Sequence, residues 1–324
     1  MVDTVNLASA PFPVNPELTA IAIGYQNTDD MLIADKALPR VPTASLFNYT
    51  IYDTDQAYTV PNTQVGRKSE PETVDFQGTD ATSQVEDFAL DDFIPQRDIE
   101  VFDAMPKPAT GGPLSPQVLA TQMLTNLILL AREVRVANVV FNAANYAAGQ
   151  TETLAGTSQW SDYVDSDPLS DLMAALDVPL LRPNTMVIGR QAWTVLRQHP
   201  KIVQAVFKTY QGAGVVSQQA VADLLEIKQV LVGSGRVNTA KKGQNPSYQR
   251  VWGKNCSLIY TSEAAAQTFQ PTFGFTAQFG TKIAASIPEL KRGIKGGETI
   301  RVGEQVKELI SASASGYYIE SCVA

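Results

Sequence analysis

Residues 115–147 read SPQVLATQMLTNLILLAREVRVANVVFNAANYA, and they form the clearest helical stretch of the sequence. Ser115 followed by Pro116 is a favourable pair for an N-cap and a first helical turn. Apolar side chains then recur at helical spacings of three, four and seven residues. These side chains are Leu119, Met123, Leu127, Leu130, Val134 and Phe141. Because nothing breaks the pattern before Gly149, the sequence predicts a helix of about 30 residues and about 45 Å.

A coiled coil is the alternative for this stretch. Asn126, Asn138 and Asn142, with few flanking charges, disfavour a sustained apolar seam between two helices. We therefore expect a single long helix that lies across a sheet.

Strand and helix patterns alternate from 150 to 262. A buried strand is predicted at TMVIG (185–189), and later strands at KQVLVGSG (228–235) and RVWGKNCSLIYTS (250–262). Helices are predicted from near Pro168, at 190–198, at 201–210 and at 217–227. This order is typical of an α/β domain. Residues 263–324 are mostly strand, so we expect a discontinuous second domain in which the long helix packs on strands from the C-terminal end.

The chain before the helix is interpreted as an arm followed by a projecting loop. Residues 1–45 are poor in charge and dotted with prolines, with one short helix predicted from Glu17 to Tyr25. An arm lying along another surface and a frayed terminus both fit this pattern. The stretches LFNYTIY (46–52) and TVDFQ (73–77) alternate apolar and polar side chains as strands do. We expect a long hairpin-like excursion that gains its stability against a neighbour, since two strands alone are marginal.

Composition limits the possible functions. The 324 residues are 44% hydrophobic and 18% charged, enough for a sizeable core in a globular protein. No apolar run has the length of a membrane span, and the first residues lack a secretory signal, so we expect a cytoplasmic product. Cys256 and Cys322 are far apart in sequence and are expected to be reduced thiols.

The charge distribution is uneven. The net charge of −8 argues against a domain that binds nucleic acid through basic patches. Residues 46–103 hold thirteen Asp and Glu against three Lys and Arg, a local balance of −10. One segment therefore carries most of the acidity.

The stretch WSDYVDSDPLSD (160–171) contains four aspartates and invites a metal site. A calcium loop started at Asp165 would have Leu169 at its fifth position and Ser170 at its sixth, so the pattern fails. As a helix start it succeeds, because Asp167 can cap and Pro168 fits the first turn. We predict a helix cap at Asp167, no metal site and no cofactor.

Other catalytic patterns are equally incomplete. His199, the single histidine, precedes Pro200 at a predicted helix end, so a Ser-His-Asp set is not indicated. The stretches GSGR (233–236) and GIKGGE (293–298) complete no phosphate-binding motif and are expected to be turns. We predict a protein that is not an enzyme.

The sequence resembles one family of tailed-bacteriophage major capsid proteins. The resemblance is carried in order by IADKALPRVP (33–42), FNYTIYD (47–53), WSDYVDSDPLSDL (160–172) and RPNTMVIGRQAWTVLRQHPKIV (182–203). It continues through VLVGSGRVNTA (230–240) and VWGKNCSLIY (251–260) to GYYIESCVA (316–324).

The resemblance implies an α+β chain with the Hong Kong 97-type capsid fold. Residues 1–45 would be the N-terminal arm and 46–96 the extended loop over an adjacent subunit. Residues 97–159 would be the peripheral domain with the spine helix at 115–147. Residues 160–262 would be the axial domain, and 263–324 would return as peripheral strands.

The resemblance also implies partners: copies of the same chain in hexamers and pentamers, a portal and a decoration protein. Because no long helical segment precedes the arm, we expect either a separate scaffolding protein or a sequence that begins at a processed end, and the initial Met favours the former. The acidic loop should dock on basic groups of a neighbour, with ELKRGIK (289–295) as the best candidate. The candidate contact residues are Arg67, Lys68, Glu70, Glu72, Lys291 and Arg292. Contact with packaged DNA should be weak and non-specific, and no membrane is involved.

Two other functions remain open at the level of sequence. One is the shell of an encapsulin-type nanocompartment, which shares this fold and encloses a cargo protein. The other is an α/β enzyme that uses residues 160–262. The main expectation is a virion protein that assembles in the cytoplasm of a bacterial host, around double-stranded DNA.

Overall fold

Two β-sheets and one long helix organise the protein. The computed structural model describes residues 14–25, 32–51, 60–71, 73, 79–105, 114–207, 214–262 and 272–324. Within these residues, a four-stranded and a five-stranded sheet each carry helices, and two further strand pairs stand apart.

The four-stranded sheet has the order β1-β11-β12-β4. Its strands are β1 (Arg40–Pro42), β4 (Glu86–Pro95), β11 (Gly274–Glu289) and β12 (Gly297–Ile310). The pairs β11–β12 and β12–β4 are antiparallel, whereas β1 runs parallel to β11. A bulge between Phe279 and Ile283 interrupts the β11–β12 register.

The long helix, here called the spine helix, runs from Pro116 to Val140 and packs on this sheet. Ser115 caps its start by accepting the N–H of Val118 at 3.3 Å. The helix ends earlier than the predicted residue 147. The side-chain amide of Asn145 donates to the carbonyl of Val139 at 2.7 Å, and Asn142 starts a separate short turn. The two asparagines supply local hydrogen bonds that compete with further helical turns.

The buried face of the spine helix differs from its most regular apolar stripe. Leu119, Met123 and Leu127 are 49%, 63% and 51% exposed, whereas Leu124 and Ile128 are buried. Threonines complete the buried face, because their hydroxyls donate to carbonyls one turn earlier and need no water. The helix is apolar on more than one side, so periodicity alone does not identify the side that faces the sheet.

The five-stranded sheet has the order β5-β13-β10-β6-β7. Its strands are β5 (Thr151–Thr153), β6 (Thr185–Gly189), β7 (Gln229–Gly233), β10 (Cys256–Ile259) and β13 (Gly316–Glu320). The associated helices are Pro168–Asp177, Arg190–Leu196, Pro200–Phe207 and Gln218–Leu225. The strand predicted at 185–189 is therefore present with those bounds, and all five of its residues are buried.

The predicted domain boundaries do not separate these two sheets. β13 was expected among the peripheral strands of 263–324, but it pairs antiparallel with β10 in the five-stranded sheet. β5, from the predicted segment 97–159, pairs with β13 in the same sheet. β13 belongs to this sheet because its apolar side chains share a core with those of β10. Tyr317 pairs with Leu258 and Ile319 with Cys256, and all four residues lie in one hydrophobic cluster.

Three strands lie in the described part of the predicted extended loop. β2 (Leu46–Ile51) pairs with β3 (Thr79–Gln84), and the chain then enters β4. The strand predicted at TVDFQ (73–77) is wrong for residue 73, which has no regular structure, and 74–77 lie outside the described residues. The returning strand begins later, at Thr79.

The N-terminal arm lies against the four-stranded sheet where it is described. The helix Pro16–Gly24 is capped by Asn15, whose own N–H donates to Ala284 at 3.1 Å. Leu18 and Ala22 of this helix pack with the spine helix and β12. Residues 32–42 then continue through the short helix Ala34–Ala37 into β1. Residues 1–13, which bear on the frayed-terminus alternative, lie outside the described residues.

The remaining elements are short. A helix Gln96–Ala104 follows β4, and the pair β8 (Arg236–Asn238) and β9 (Tyr248–Arg250) forms a hairpin. Single 3₁₀ turns occupy Ala143–Asn145, Gly156–Ser158 and Ser313–Ser315.

Candidate assembly surfaces

Asp167 occupies the N-cap of the helix Pro168–Asp177. Its carboxylate accepts the N–H of Ser170 at 3.2 Å and lies 3.3 Å from the ammonium of Lys201. Slight burial opposes ionisation, but these two donors outweigh it and lower the pKa of Asp167. The carboxylate is thus committed to the helix start.

Two of the other three aspartates of this stretch are also used locally. Asp171 accepts the indole N–H of Trp160 at 3.1 Å, and burial raises the pKa of Asp171. Asp162 accepts the backbone N–H of Val164 at 3.0 Å. Over the described ranges, no group of three or more His, Cys, Asp or Glu side chains is arranged to hold a metal ion.

His199 joins two helices of the five-stranded sheet and is fully buried. Its Nδ1 accepts the N–H of Lys201 at 3.3 Å, which leaves Nε2 to donate to the hydroxyl of Ser166 at 3.1 Å. That hydroxyl in turn donates to the carbonyl of Asp162. Burial and the nearby Lys201 lower the pKa of His199, so the ring is neutral near pH 7. With Ser166 also buried, this contact fixes a helix junction and offers no open nucleophile.

The segment 60–71 presents three of the predicted contact residues. Arg67 and Lys68 lie in a turn closed by a hydrogen bond from the N–H of Ser69 to the carbonyl of Gly66 at 3.0 Å. Arg67, Lys68 and Glu70 are all exposed, as is Val60 at 90%. Glu72 lies outside the described residues. The tip of the predicted acidic loop is thus basic where it is described.

The β11–β12 hairpin ends in the turn 290–296, which carries the other predicted contact residues. Leu290 and Ile294 project fully into solvent there. The ammonium of Lys295 lies 2.6 Å from Glu100, and the guanidinium of Arg292 lies over the Phe93 ring at 5.1 Å. Lys291 is exposed and has no ion pair among the described residues. This basic turn is therefore partly neutralised within its own chain.

Many of the acidic residues belong to the body of the molecule. Seven of those in 46–103 lie on β4 or on the helix that follows it. Across the sheet, Asp91 accepts two hydrogen bonds from Arg301 at 2.7 Å, and Glu86 pairs with Lys307. These hydrogen bonds lower the pKa of Asp91. Seven of the thirteen acids of this segment thus lie at or next to a sheet edge.

A network of charged side chains, several of them buried, joins the arm, the spine helix and the four-stranded sheet. Arg40 donates to Asp35 at 2.6 Å and to Glu304 at 2.8 Å. Arg132, 1% exposed, donates to Asp35 and to the hydroxyl of Thr276 at 3.0 Å. Partial burial raises the pKa of Asp35, but the two guanidiniums outweigh it and hold that pKa below its usual value. Two charged residues of the motif IADKALPRVP, Asp35 and Arg40, belong to this network.

Glu133, adjacent to Arg132, joins the spine helix to both neighbouring parts of the chain. Its carboxylate accepts the backbone N–H groups of Ile33 at 2.9 Å and Ala34 at 2.8 Å. It also accepts the indole N–H of Trp252, which is fully buried beside β7. Burial raises the pKa of Glu133 although the three donors act against this rise. In the sequence, Arg132 and Glu133 are adjacent charged residues in a largely apolar helix, which could have indicated buried polar contacts. The helical periodicity alone did not assign them a role.

Trp252 and the residue after it pack so closely against Gly233 and Gly189 that a side chain at either glycine would clash. A Cβ added to Gly233 would lie 2.0 Å from Cδ1 of Trp252, and one added to Gly189 would lie 2.2 Å from the carbonyl oxygen of Gly253. Gly233, which was expected only as a turn residue, therefore makes room for the ring, and Gly189 makes room for the backbone of residues 252 and 253.

No described helix is both long and apolar enough to cross a membrane.

Comparison with solved structures shows what class of protein this arrangement defines. A phage-related protein from Bordetella bronchiseptica RB50 has a TM-score of 0.73 at 24% identity, over 97% of this chain and 99% of that one. The capsid structure of cyanophage P-SCSP1u has a TM-score of 0.58 at 9% identity, over 91% of this chain and 90% of that one. The α+β fold is thus the Hong Kong 97-type capsid fold.

Sequence comparison supplies the family. No protein-family model matches the chain. The sequence is 47% identical to the major capsid protein of Pseudomonas phage JBD67 over 319 residues, 98% of this chain and 100% of the relative. The chain belongs to the bacteriophage major capsid proteins. The resemblance described above is thereby confirmed, and with it the expectation of a structural subunit of a phage shell.

Proposed function

We propose that the chain assembles as pentamers and hexamers into the icosahedral head shell that encloses a double-stranded DNA genome. The observation that carries this proposal is the 47% identity with a phage major capsid protein over 98% of the chain. Assembly would take place in the cytoplasm of a bacterial host, with a separate scaffolding protein and a portal, and the product would be part of the virion. A decoration protein is a further proposed partner, and the role is structural rather than catalytic.

The contacts between copies are proposed to involve the extended loop and the β11–β12 turn. Support comes from the exposure of Arg67, Lys68 and Glu70 on the loop, and of Lys291 on the turn. Arg292 and Glu72 complete the proposed set. Exposed ion pairs contribute only about 0–1 kcal/mol each. Closure of a shell must therefore rest on many repeated contacts and on apolar surface such as Leu290 and Ile294.

Contact with the packaged genome is proposed to be weak. The chain carries a net charge of −8, and several of its cations are paired with carboxylates of the same chain. Phosphate binding depends on accessible Lys and Arg, so each of these pairs reduces the number of cations that can release counterions.

The test is electron microscopy of the protein expressed alone and with a candidate scaffolding protein. Rings, tubes or icosahedral shells are expected, and dispersed monomers under all conditions would contradict the proposal. Particles that contain a protein cargo and no DNA during infection would favour a nanocompartment instead. Tight binding of duplex DNA by empty shells at physiological salt would contradict the weak contact.

A further inference from the structure

A cavity of about 530 Å³ opens between the arm, the spine helix and β11. Four cations and two carboxylates line it: Lys36, Arg40, Arg132, Lys282, Asp35 and Glu133. We call it the Lys282 cavity.

The carboxylates at this cavity are committed to other donors. Asp35 is shared by Arg40 and Arg132, and Glu304 accepts from Arg40. Glu133 is committed to Trp252 and to two backbone N–H groups. In the described part of the chain Lys282 makes neither an ion pair nor a hydrogen bond, and Glu304 and Asp35 attract it only from a greater distance.

Two further donors at this place lack partners. Nη2 of Arg40 and Nε of Arg132 are buried and make no hydrogen bond among the described residues. A water between Arg40 and the free Oε1 of Glu304 could satisfy those two atoms, but it would bring no charge to Lys282. A buried donor without an acceptor costs about 1–3 kcal/mol, so the arrangement favours an acceptor that enters from outside.

Lys282 is held in place by the irregularity of its strand. It lies inside the bulge between Phe279 and Ile283, and its side chain is only partly exposed. Burial, the largest effect, and the neighbouring Arg40 lower the pKa of Lys282, although Glu304 and Asp35 act in the opposite direction. An incoming carboxylate would relieve both effects.

We propose that the Lys282 cavity is a socket for an aspartate or glutamate side chain of a second copy of this chain. A carboxylate fits the donors, because it can accept from the ammonium and from a guanidinium at once. A DNA backbone does not fit, because Arg132 is 1% exposed and a duplex cannot reach the floor of the cavity. A second copy is favoured because the chain has a surplus of acids, with a net charge of −8, and copies must meet repeatedly in a shell. This inference rests on the proposed function.

The first test measures assembly of three variants. Lys282→Met removes the charge at similar size, Lys282→Arg keeps it, and Lys242→Met changes an exposed lysine elsewhere. The concentration needed for shell formation should rise at least about tenfold for Lys282→Met, which corresponds to about 1.4 kcal/mol per contact. It should stay close to the wild-type value for the other two. Because a like-charged neighbour of Arg40 is removed, unassembled Lys282→Met should unfold at the wild-type temperature or above.

The outcomes separate this inference from the proposed function. A Lys282→Met variant that assembles as well as the wild type overturns the socket alone. A wild-type chain that never assembles, with or without scaffold, overturns the proposed function itself.

The second test identifies the acid and does not depend on a variant that folds. Shells are built from equal amounts of unlabelled and nitrogen-15-labelled chains and treated with a carbodiimide, which joins a lysine directly to a carboxylate. Peptides that link Lys282 of one isotope to an Asp or Glu of the other support the socket. Links only within one isotope, for example to Asp29 or Asp30 outside the described residues, overturn it. So does the absence of any Lys282 link when Lys307 is linked to Glu86 in the same sample.

Discussion

The carboxylate of Glu133 should contribute measurably to the stability of the unassembled chain. It accepts three N–H donors, two from the backbone at Ile33 and Ala34 and one from Trp252. In Glu133→Gln the single amide oxygen can keep at most two of these bonds, and the amide N–H₂ then faces a third donor. The variant therefore loses a charge-assisted hydrogen bond worth about 1.5–3 kcal/mol and leaves a buried donor unpaired at about 1–3 kcal/mol.

An opposing effect reduces this sum. Burial raises the pKa of Glu133, which means that the charged form is disfavoured in the folded state, and glutamine removes that cost. We expect a net loss of about 2 kcal/mol in the free energy of unfolding at pH 7. The measurement is urea unfolding of the unassembled protein, with the exposed Glu152→Gln as the matched control within about 0.5 kcal/mol of wild type.

A double-mutant cycle with Trp252→Phe tests the reasoning more closely. Phenylalanine removes the indole donor, so glutamine at 133 then has two donors for its one oxygen and less conflict. The two changes together should cost less than the sum of the separate changes by about 1 kcal/mol. Equal stability of Glu133→Gln and wild type, or strict additivity in the cycle, would refute the assignment of Glu133 as the link between these segments.

Three further predictions concern single positions. Leu124→Ala should lower the free energy of unfolding by about 2–5 kcal/mol because Leu124 is buried, whereas Leu127→Ser on the exposed side should leave it within about 0.5 kcal/mol; equal losses would mean that the helix faces are misassigned. For His199 the folded-state pKa is lowered below 6.5, so stability is lost as pH falls through the window below about 6.5. His199→Asn should show a shallower loss in urea unfolding between pH 7 and 5, and an unchanged slope would contradict the buried neutral ring. Asp167→Ala should cost about 1 kcal/mol as a lost N-cap, and loss of a bound metal with unchanged stability would contradict the cap.

The elements that the sequence predicted well are those specified by neighbouring residues. Ser115 and Asp167 begin helices because a capping side chain acts within three residues of itself. TMVIG could be predicted as a strand because a short run of apolar residues is typical of a strand buried on both faces, and all five residues are buried. The family resemblance then supplied the fold as a whole, which no local pattern could do.

The contacts between distant segments could not be predicted in this way. Glu133 and Trp252 are 119 residues apart in the sequence, and nothing near either residue indicates the other. Leu119, Met123 and Leu127 have the helical spacing of a buried face, yet they are exposed. The spacing alone does not tell whether an apolar face packs within the chain. The net charge of 46–103 was calculated for the segment as a whole. In the fold this segment includes both the exposed stretch 60–71 and the edge strand β4, so the sum does not show where the acidic residues lie.

The position of β13 has a consequence for how the chain is made. This strand lies between β5 and β10, and its partner Thr153 is 167 residues away from Glu320. While the chain is still being synthesised, β5 and β10 therefore expose unpaired edges until residues 316–320 have left the ribosome, and such edges favour aggregation. A nascent chain that stops short of this strand cannot complete the five-stranded sheet. The five-stranded sheet can therefore close only after residues 316–320 have been translated.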